Sequence, residues 1–256
     1  MKAIFLGTGT SCGVPIIGCD CSVCTSADKR NVRRRSSLYV EAAGTHIVID
    51  TTPDFRDQVL TFGVPRVDAV LFTHAHADHV LGLDDIRRFN TIQNCSIPAY
   101  GSESTIEDLN RIFNYVNLQE VPGVYRPQVS FVSIDSAFTC GDISVDPLPV
   151  AHGTIETFGY LLRAEGLALG YVPDCATMSD ETVKMLQGID LMILDGLRHK
   201  PHETHLTVKD SVAFLQRIGA GRSYITHMTH DLDHEETESA MPDGIAVAYD
   251  GLVIDL

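Results

Sequence analysis

Residues 73–79 read THAHADH, at the end of the run VDAVLFT (67–73). A β-branched, largely apolar run of that length predicts a buried strand, so the polar cluster falls in the turn that follows it. His74 and His76 stand two apart, and an extended backbone points both rings the same way. Asp78 and His79 follow as the chain turns. Packing alone does not call for three imidazoles and a carboxylate within residues 74–79. Neutral imidazole with carboxylate is a donor set suited to Zn, Mn or Fe. Divided as His74 with His76 and Asp78 with His79, it can serve two neighbouring ions.

Two ions need more donors, and other strand ends supply them. His152 follows PLPVA, Asp174 follows LALGYVP where Pro173 stops the strand, and His227 follows RSYIT. Asp174 adds a carboxylate able to bridge. KAIFLG (2–7), SSLYVEA (36–42) and THIVID (45–50) predict strands, the last two joined by an Ala-Gly turn. Residues 53–62 predict a helix with Pro53 near its start, as do 102–116 and 207–218, with Ser102 and Thr207 as caps. After residue 128 come VSFVSI, ISVDPLPV, TFGYLLRA and LALGYVP, a helix near 179–187, IDLMILD, RSYIT and a closing hairpin around AVAYDGLVIDL. Strand runs in both halves with helices between them predict an α/β (α+β) architecture: two mixed sheets packed face to face inside outer helices. Repeats and linkers are absent, so residues 1–256 are expected to form one domain.

The formal charge of −15 survives the loss of roughly four negative charges to two divalent ions, and it disfavours broad capture of nucleic acid. Lys29, Arg30, Arg33, Arg34 and Arg35 are a local basic run, either a pocket or a solvated loop. LGTGTSCG has Gly7 and Gly9 after a strand, but Cys12 stands where a dinucleotide fingerprint needs its third glycine. A membrane partner is not expected, because no apolar run approaches the roughly 18 residues of a membrane span. The short apolar start does not resemble a secretory signal.

Of seven cysteines, Cys19, Cys21 and Cys24 crowd into GCDCSVC (18–24). Cys12, Cys95, Cys140 and Cys175 are scattered and expected to be small buried side chains. An odd count without a secretory signal predicts a reduced, cytoplasmic setting. The close trio fits a closed metal site better than redox chemistry, since no thioredoxin-like βαβ unit surrounds its C-x-x-C. Three thiolates leave a tetrahedral ion one ligand short.

THAHADH resembles the H-x-H-x-D-H motif of the metallo-β-lactamase superfamily. Asp50, His152, Asp174 and His227 fall, in order, at that superfamily's other motif positions. The resemblance spans nearly the whole chain and implies a four-layer αββα sandwich with a dinuclear site at one edge. It implies that His74, His76 and His152 bind one metal, that Asp78, His79 and His227 bind the other, and that Asp174 bridges them. It gives Asp50 an outer role, orienting ligands through hydrogen bonds.

A bridging carboxylate with a complete histidine set is similar to the phosphodiesterase and glyoxalase II branches. LGTGTS, and His205 in THLT, resemble the phosphodiesterase branch, in which such a histidine acts against the scissile phosphate. GCDCSVC resembles the PhnP group of phosphoribosyl 1,2-cyclic phosphate phosphodiesterases, whose structural zinc loop (here about residues 12–35) would take His230 of THMTH as its fourth ligand. The resemblance thus implies two divalent ions (Mn, Zn or Fe), one structural Zn on Cys19, Cys21, Cys24 and His230, and Asp78 and His205 as catalytic residues. The reaction implied is hydrolysis of a small phosphodiester, a cyclic one such as phosphoribosyl 1,2-cyclic phosphate, to a monoester by hydroxide held between the metals. A glyoxalase II-like thioester hydrolase and a transfer-RNA 3′-processing endonuclease are the alternatives, the latter weakened by the acidity and by the lack of a protruding RNA-gripping arm. The expected partner is a small-molecule phosphodiester, and a homodimer is left open. His199 and His202 are expected at the surface, and His46 and His234 carry no functional expectation.

Overall fold

The chain builds fourteen strands and seven helices among residues 1–117 and 125–256, the residues described by a computed structural model. The first sheet takes β1 (Lys2–Gly7), β2 (Ser37–Ala42), β3 (Thr45–Ile49), β4 (Ala69–Leu71), β5 (Ile97–Gly101) and β6 (Val129–Ser133). The second takes β7 (Phe138–Cys140), β8 (Ile143–His152), β9 (Ile155–Ala164), β10 (Leu167–Val172), β11 (Leu191–Asp195), β12 (Arg222–Thr226) and β13 (Ile245–Val247). The last strand, β14 (Val253–Asp255), returns to the first sheet. The orders are β14-β1-β2-β3-β4-β5-β6 and β13-β12-β11-β10-β9-β8-β7.

The turn between β2 and β3 is local chemistry. Ala43 and Gly44 both sit at positive φ, 48° and 73°, the backbone that a two-residue hairpin requires. From β3 to β6 neighbouring strands pair in parallel, and the crossovers carry α1 (Phe55–Phe62), α2 (Ala77–Val80), α3 (Ile86–Gln93) and α4 (Glu103–Ile112). On the second sheet β10, β11, β12 and β13 are parallel, and α5 (Asp180–Leu186), α6 (Val208–Ile218) and α7 (His234–Ser239) lie between them in sequence. Ser102 and Thr207 cap α4 and α6 as expected, accepting from Thr105 N and Asp210 N.

Three apolar clusters make the layers. Phe5, Leu38, Val40, Ile47 and Leu71 of one sheet meet Val145, Tyr160, Leu162, Leu169 and Ile193 of the other. The outer face of the first sheet packs Leu6, Val48 and Phe72 against Phe55, Ile86, Phe89, Ile106 and Leu109 of its helices. The outer face of the second packs Leu161, Met192 and Leu194 against Val183, Leu186, Leu215 and Ile218. The result is the expected αββα sandwich. Parallel strands expose their C-terminal ends at one edge, where open α/β sheets gather their ligands. Asp50, Asp174 and His227 follow β3, β10 and β12 at such ends, and Asp195 closes β11.

Several local expectations need correction. The final two strands are not a hairpin. β13 extends the second sheet beside β12, whereas β14 pairs antiparallel with β1 in the first. The Asp250-Gly251 turn crosses between them, fixed by Gly251 N donating to Phe5 O at 2.8 Å and Thr8 Oγ1 donating to Asp250 Oδ1 at 2.8 Å. The first helix begins at Phe55, two residues past Pro53, and the 67–73 strand shortens to Ala69–Leu71. Cys140 and Cys175 are buried, but Cys12 and Cys95 are exposed.

The basic run is largely tied down by acids, and Arg33, Arg34 and Arg35 line a small open pocket with Asp54, Cys12 and Pro15. Arg30 pairs with Asp28 and Glu235, Arg34 with Asp57 and Asp250, and Arg35 with Asp54. Arg33 is buried, its guanidinium donating to Thr8 Oγ1 at 2.8 Å and Ala248 O at 2.6 Å. The glycines of LGTGT serve this packing: a Cβ on Gly7 would lie 1.9 Å from Arg35 O, and one on Gly9 2.9 Å from Arg33 O.

Candidate metal centre

The strand ends deliver the predicted side chains to one place. Past β4 the chain runs extended through His74 and His76, then enters the single turn of α2 with Asp78 and His79. His74 Nε2 lies 2.7 Å from His76 Nδ1, and His152 Nε2 lies 3.4 Å from that same nitrogen. A second group forms beside the first. His79 Nε2 is 3.3 Å from Asp78 Oδ2, and His227 Nε2 is 3.9 Å from it.

Asp174 stands between the groups and divides its oxygens. Oδ2 faces His74 Nε2 at 3.9 Å and His152 Nε2 at 3.7 Å, while Oδ1 faces His79 Nε2 and His227 Nε2, both at 3.4 Å. In each of the trios His74–His76–His152 and Asp78–His79–His227 the donor atoms all lie within 4.8 Å of one another.

Outer hydrogen bonds aim the rings. Asp50 Oδ2 accepts from His79 Nδ1 at 2.7 Å and from Thr73 Oγ1 at 2.8 Å, while Asp50 Oδ1 accepts from Thr73 N at 2.8 Å. His74 Nδ1 sits 3.0 Å from Thr73 Oγ1, and His152 Nδ1 donates to Thr204 O at 2.9 Å. A carbonyl only accepts, so the Nε2 lone pairs turn inward. Asp50 and His227 hold φ of 64° and 60°. A left-handed residue that is not glycine costs roughly 1–3 kcal/mol and persists where surrounding structure fixes it, often at functional sites.

The arrangement fits cations on two grounds. His79 Nε2, Asp174 Oδ1 and His227 Nε2 are buried with no hydrogen-bond partner. Such atoms carry a desolvation cost that a bound ion would offset. Charge tells the same story. Burial pushes the Asp174 carboxyl upward, yet His227 and His79 beside it hold it well below the usual range. Burial disfavours a charged His79, yet Asp174, Asp50 and Asp78 push its pKa well above the ordinary histidine value. Buried carboxylates here require positive charge among them.

His205 borders the cluster. Its ring stacks 4.9 Å from that of His227, and His152, Asp174 and His205 bring donor atoms within 4.8 Å of one another. Its Nδ1 donates to Asp195 Oδ2 at 2.9 Å, an oxygen that also accepts from Cys175 N and Leu206 N. Thr207, not His205, caps the following helix. Burial first, then the charge of His227, lowers the His205 pKa to about 4. Sequence reading missed Asp195, although LMILD has the signature of Asp50 in THIVID: an apolar strand ending in a buried carboxylate.

The cysteine trio meets its fourth member. Cys19, Cys21 and Cys24 Sγ lie 3.2, 3.4 and 3.5 Å from His230 Nδ1. A tetrahedral zinc with bonds of about 2.1–2.3 Å separates its ligand atoms by roughly 3.5 Å. Backbone N–H donation from Cys24 lowers the Cys21 thiol to about 6, while burial raises that of Cys24 to about 11.

The profile of the beta-lactamase superfamily domain matches residues 45–228, from β3 through His227. The chain belongs to the beta-lactamase superfamily. It has the metallo-β-lactamase fold and is a metal-dependent hydrolase of that superfamily. A crystal structure described as a new diphosphatase from the PhnP family superposes with a TM-score of 0.91 at 40% identity, over 100% of this chain and 97% of that one. A Porphyromonas gingivalis protein named octanoyltransferase is 34% identical over 98% of this chain, which spans only 51% of that relative's length. Coenzyme PQQ synthesis protein B of Methylobacterium sp. strain 4-46 is 28% identical over the full length of both. Among the described residues no helix is long and apolar enough to cross a membrane.

Proposed function

We propose that the chain hydrolyses a small phosphodiester to a monoester, a class that includes five-membered cyclic sugar phosphates and diphosphate diesters. In this reading His74, His76 and His152 hold one divalent ion, Asp78, His79 and His227 hold a second, and Asp174 bridges them. Cys19, Cys21, Cys24 and His230 hold a structural zinc. Zn, Mn and Fe all suit the nitrogen and oxygen set. When bound, such ions supply Lewis acidity and make water a nucleophile near neutral pH.

The observation that carries the reading is the division of Asp174 between two donor groups, with the His205–Asp195 pair beside them. The resemblance gives a bridging carboxylate to thioester hydrolases as well. The His205–Asp195 pair favours phosphorus, since a diester's leaving oxygen needs a proton or a donor. Asp195 fixes the His205 ring through Nδ1. Nε2, unprotonated in the free site because burial keeps the imidazole neutral, can take the proton that the attacking water sheds and deliver it to that oxygen. Water adds its oxygen to phosphorus, the P–O bond to the leaving oxygen breaks, and that oxygen takes a proton. The likeness to a PhnP-family diphosphatase at 40% identity points the same way.

Manganese-loaded protein is expected to convert bis(p-nitrophenyl) phosphate to p-nitrophenol and p-nitrophenyl phosphate, with no inorganic phosphate released in the first turnover. Turnover of a thioester such as S-lactoylglutathione, with no diester hydrolysed, would overturn the assignment. His205→Ala should lower kcat by about 10²–10⁴-fold for a diester with an alkyl leaving group. The loss should be far smaller with p-nitrophenolate, which departs without a proton. Equal losses on both substrates would contradict the role of His205 as a proton donor.

A further inference from the structure

The segment 198–205, RHKPHETH, lies between β11 and α6 and brings Thr204 and His205 against the metal centre. Its base is closed by Leu197 N donating to Leu206 O at 3.1 Å and Val208 N donating to Arg198 O at 3.0 Å. Arg198 fastens it from within, Nε donating to Lys200 O at 3.2 Å and a terminal nitrogen to Pro201 O at 3.3 Å. The loop is therefore built to present side chains.

The side chain it presents next to the site is His202, exposed, with its ring centroid 5.1 Å from that of His205. Thr204 orients that ring. Its backbone N–H donates to His202 Nδ1 at 3.3 Å, and its carbonyl accepts from His152 Nδ1 at 2.9 Å. With Nδ1 occupied as an acceptor, neutral His202 carries its proton on Nε2. One residue thus aims both a member of the metal-binding cluster and a free N–H donor just outside it. Arg198 and Lys200 precede His202 within four residues, with Glu203 the one acid of the segment.

We propose that His202 binds a second phosphoryl group, joined through the leaving oxygen to the phosphorus under attack, so that the site prefers diphosphate linkages to simple esters. This deepens the phosphodiesterase reading above and rests on it. His205 meets the leaving oxygen, and His202 is the next donor outward. A carbon substituent there has no use for an N–H, whereas a phosphoryl oxygen accepts it. On hydrolysis the hydroxyl oxygen of water joins the attacked phosphorus. The P–O bond breaks with its electron pair retained by the bridging oxygen, and the departing phosphate monoester remains on His202 until release.

A matched pair of substrates tests this, adenosine 5′-(p-nitrophenyl phosphate) and diadenosine 5′,5′-diphosphate. Both place adenylate on the attacked phosphorus and differ in the leaving group. The quantity read is the ratio of kcat/KM for the diphosphate to that for the nitrophenyl ester. His202→Ala should lower that ratio about tenfold to a hundredfold, the worth of a hydrogen bond to a charged group, mainly through KM for the diphosphate. His202→Gln, which keeps an N–H donor, should recover much of the ratio. An unchanged ratio in His202→Ala would overturn the proposal. So would wild-type protein that cleaves the nitrophenyl ester but not the diphosphate, leaving the phosphodiesterase reading intact. Wild-type protein inactive on both would overturn the two together.

Discussion

His76→Ala is expected to cut phosphodiester hydrolysis by about a thousandfold or more while leaving the protein folded. His76 is half-exposed at the start of α2, and its Nδ1 is the atom against which both His74 and His152 close. Removing it strips one of three imidazoles from the first group without opening a cavity in an apolar cluster, since no cluster includes it. The cost should therefore appear in metal occupancy and rate, with the thermal midpoint of the metal-free protein shifted little. Activity within tenfold of wild type, in a variant of unchanged metal content, would remove His76 from the site.

Cys21→Ser is the second large effect, and it acts at a distance from the chemistry. Three sulfurs converge on His230, three residues beyond His227 in THMTH. Without a metal on the sulfurs, His230 has less to hold it, and the strained φ of His227 can relax. Other ties between the N-terminal loop and this segment survive. Met228 N still donates to Thr8 O at 2.9 Å, Asn31 still bonds Asp233 at 2.7 Å, and Arg33 still reaches Ala248 O. The fold should persist, with the loss felt as displaced ligands. The expected result is one zinc fewer per chain, faster amide exchange across residues 12–26, and activity reduced about tenfold to a hundredfold, the scale of outer-sphere changes around a metal. A stable, zinc-free Cys21→Ser protein with wild-type activity would contradict the link between the two sites.

What the sequence made legible was local. The sequence bounds β1 to the residue. His230, which only the family resemblance singles out, lies beside the three cysteines, while the donors placed at strand ends (THAHADH, Asp174 and His227) lie close together at one edge. Their identity and position at strand ends carry most of the information, because a parallel strand delivers whatever follows it to the same edge. What stayed hidden depends on contacts distant in sequence. AVAYDGLVIDL has the composition of a hairpin, but Asp250 bonds Thr8 and Arg34 and Gly251 bonds Phe5, so its two strands part into different sheets. Arg33 reads as one more cation in a basic run, yet two of the three groups its guanidinium meets, Ala248 and His234, are more than 200 positions away. Asp195 ends an apolar strand as Asp50 does, but its pairing with His205 depends on a loop whose course nothing local specifies.

One chain is expected to carry a dinuclear histidine-carboxylate site and a separate cysteine-zinc site. Elemental analysis of purified wild-type protein equilibrated with manganese and zinc, alongside Cys21→Ser and His76→Ala, tests it most directly. The prediction is three ions per wild-type chain, two in Cys21→Ser with both kept at the histidine cluster, and loss from that cluster in His76→Ala with the cysteine-bound zinc retained. A single zinc per wild-type chain, lost in Cys21→Ser and indifferent to His76→Ala, would leave the histidine cluster empty and contradict the account.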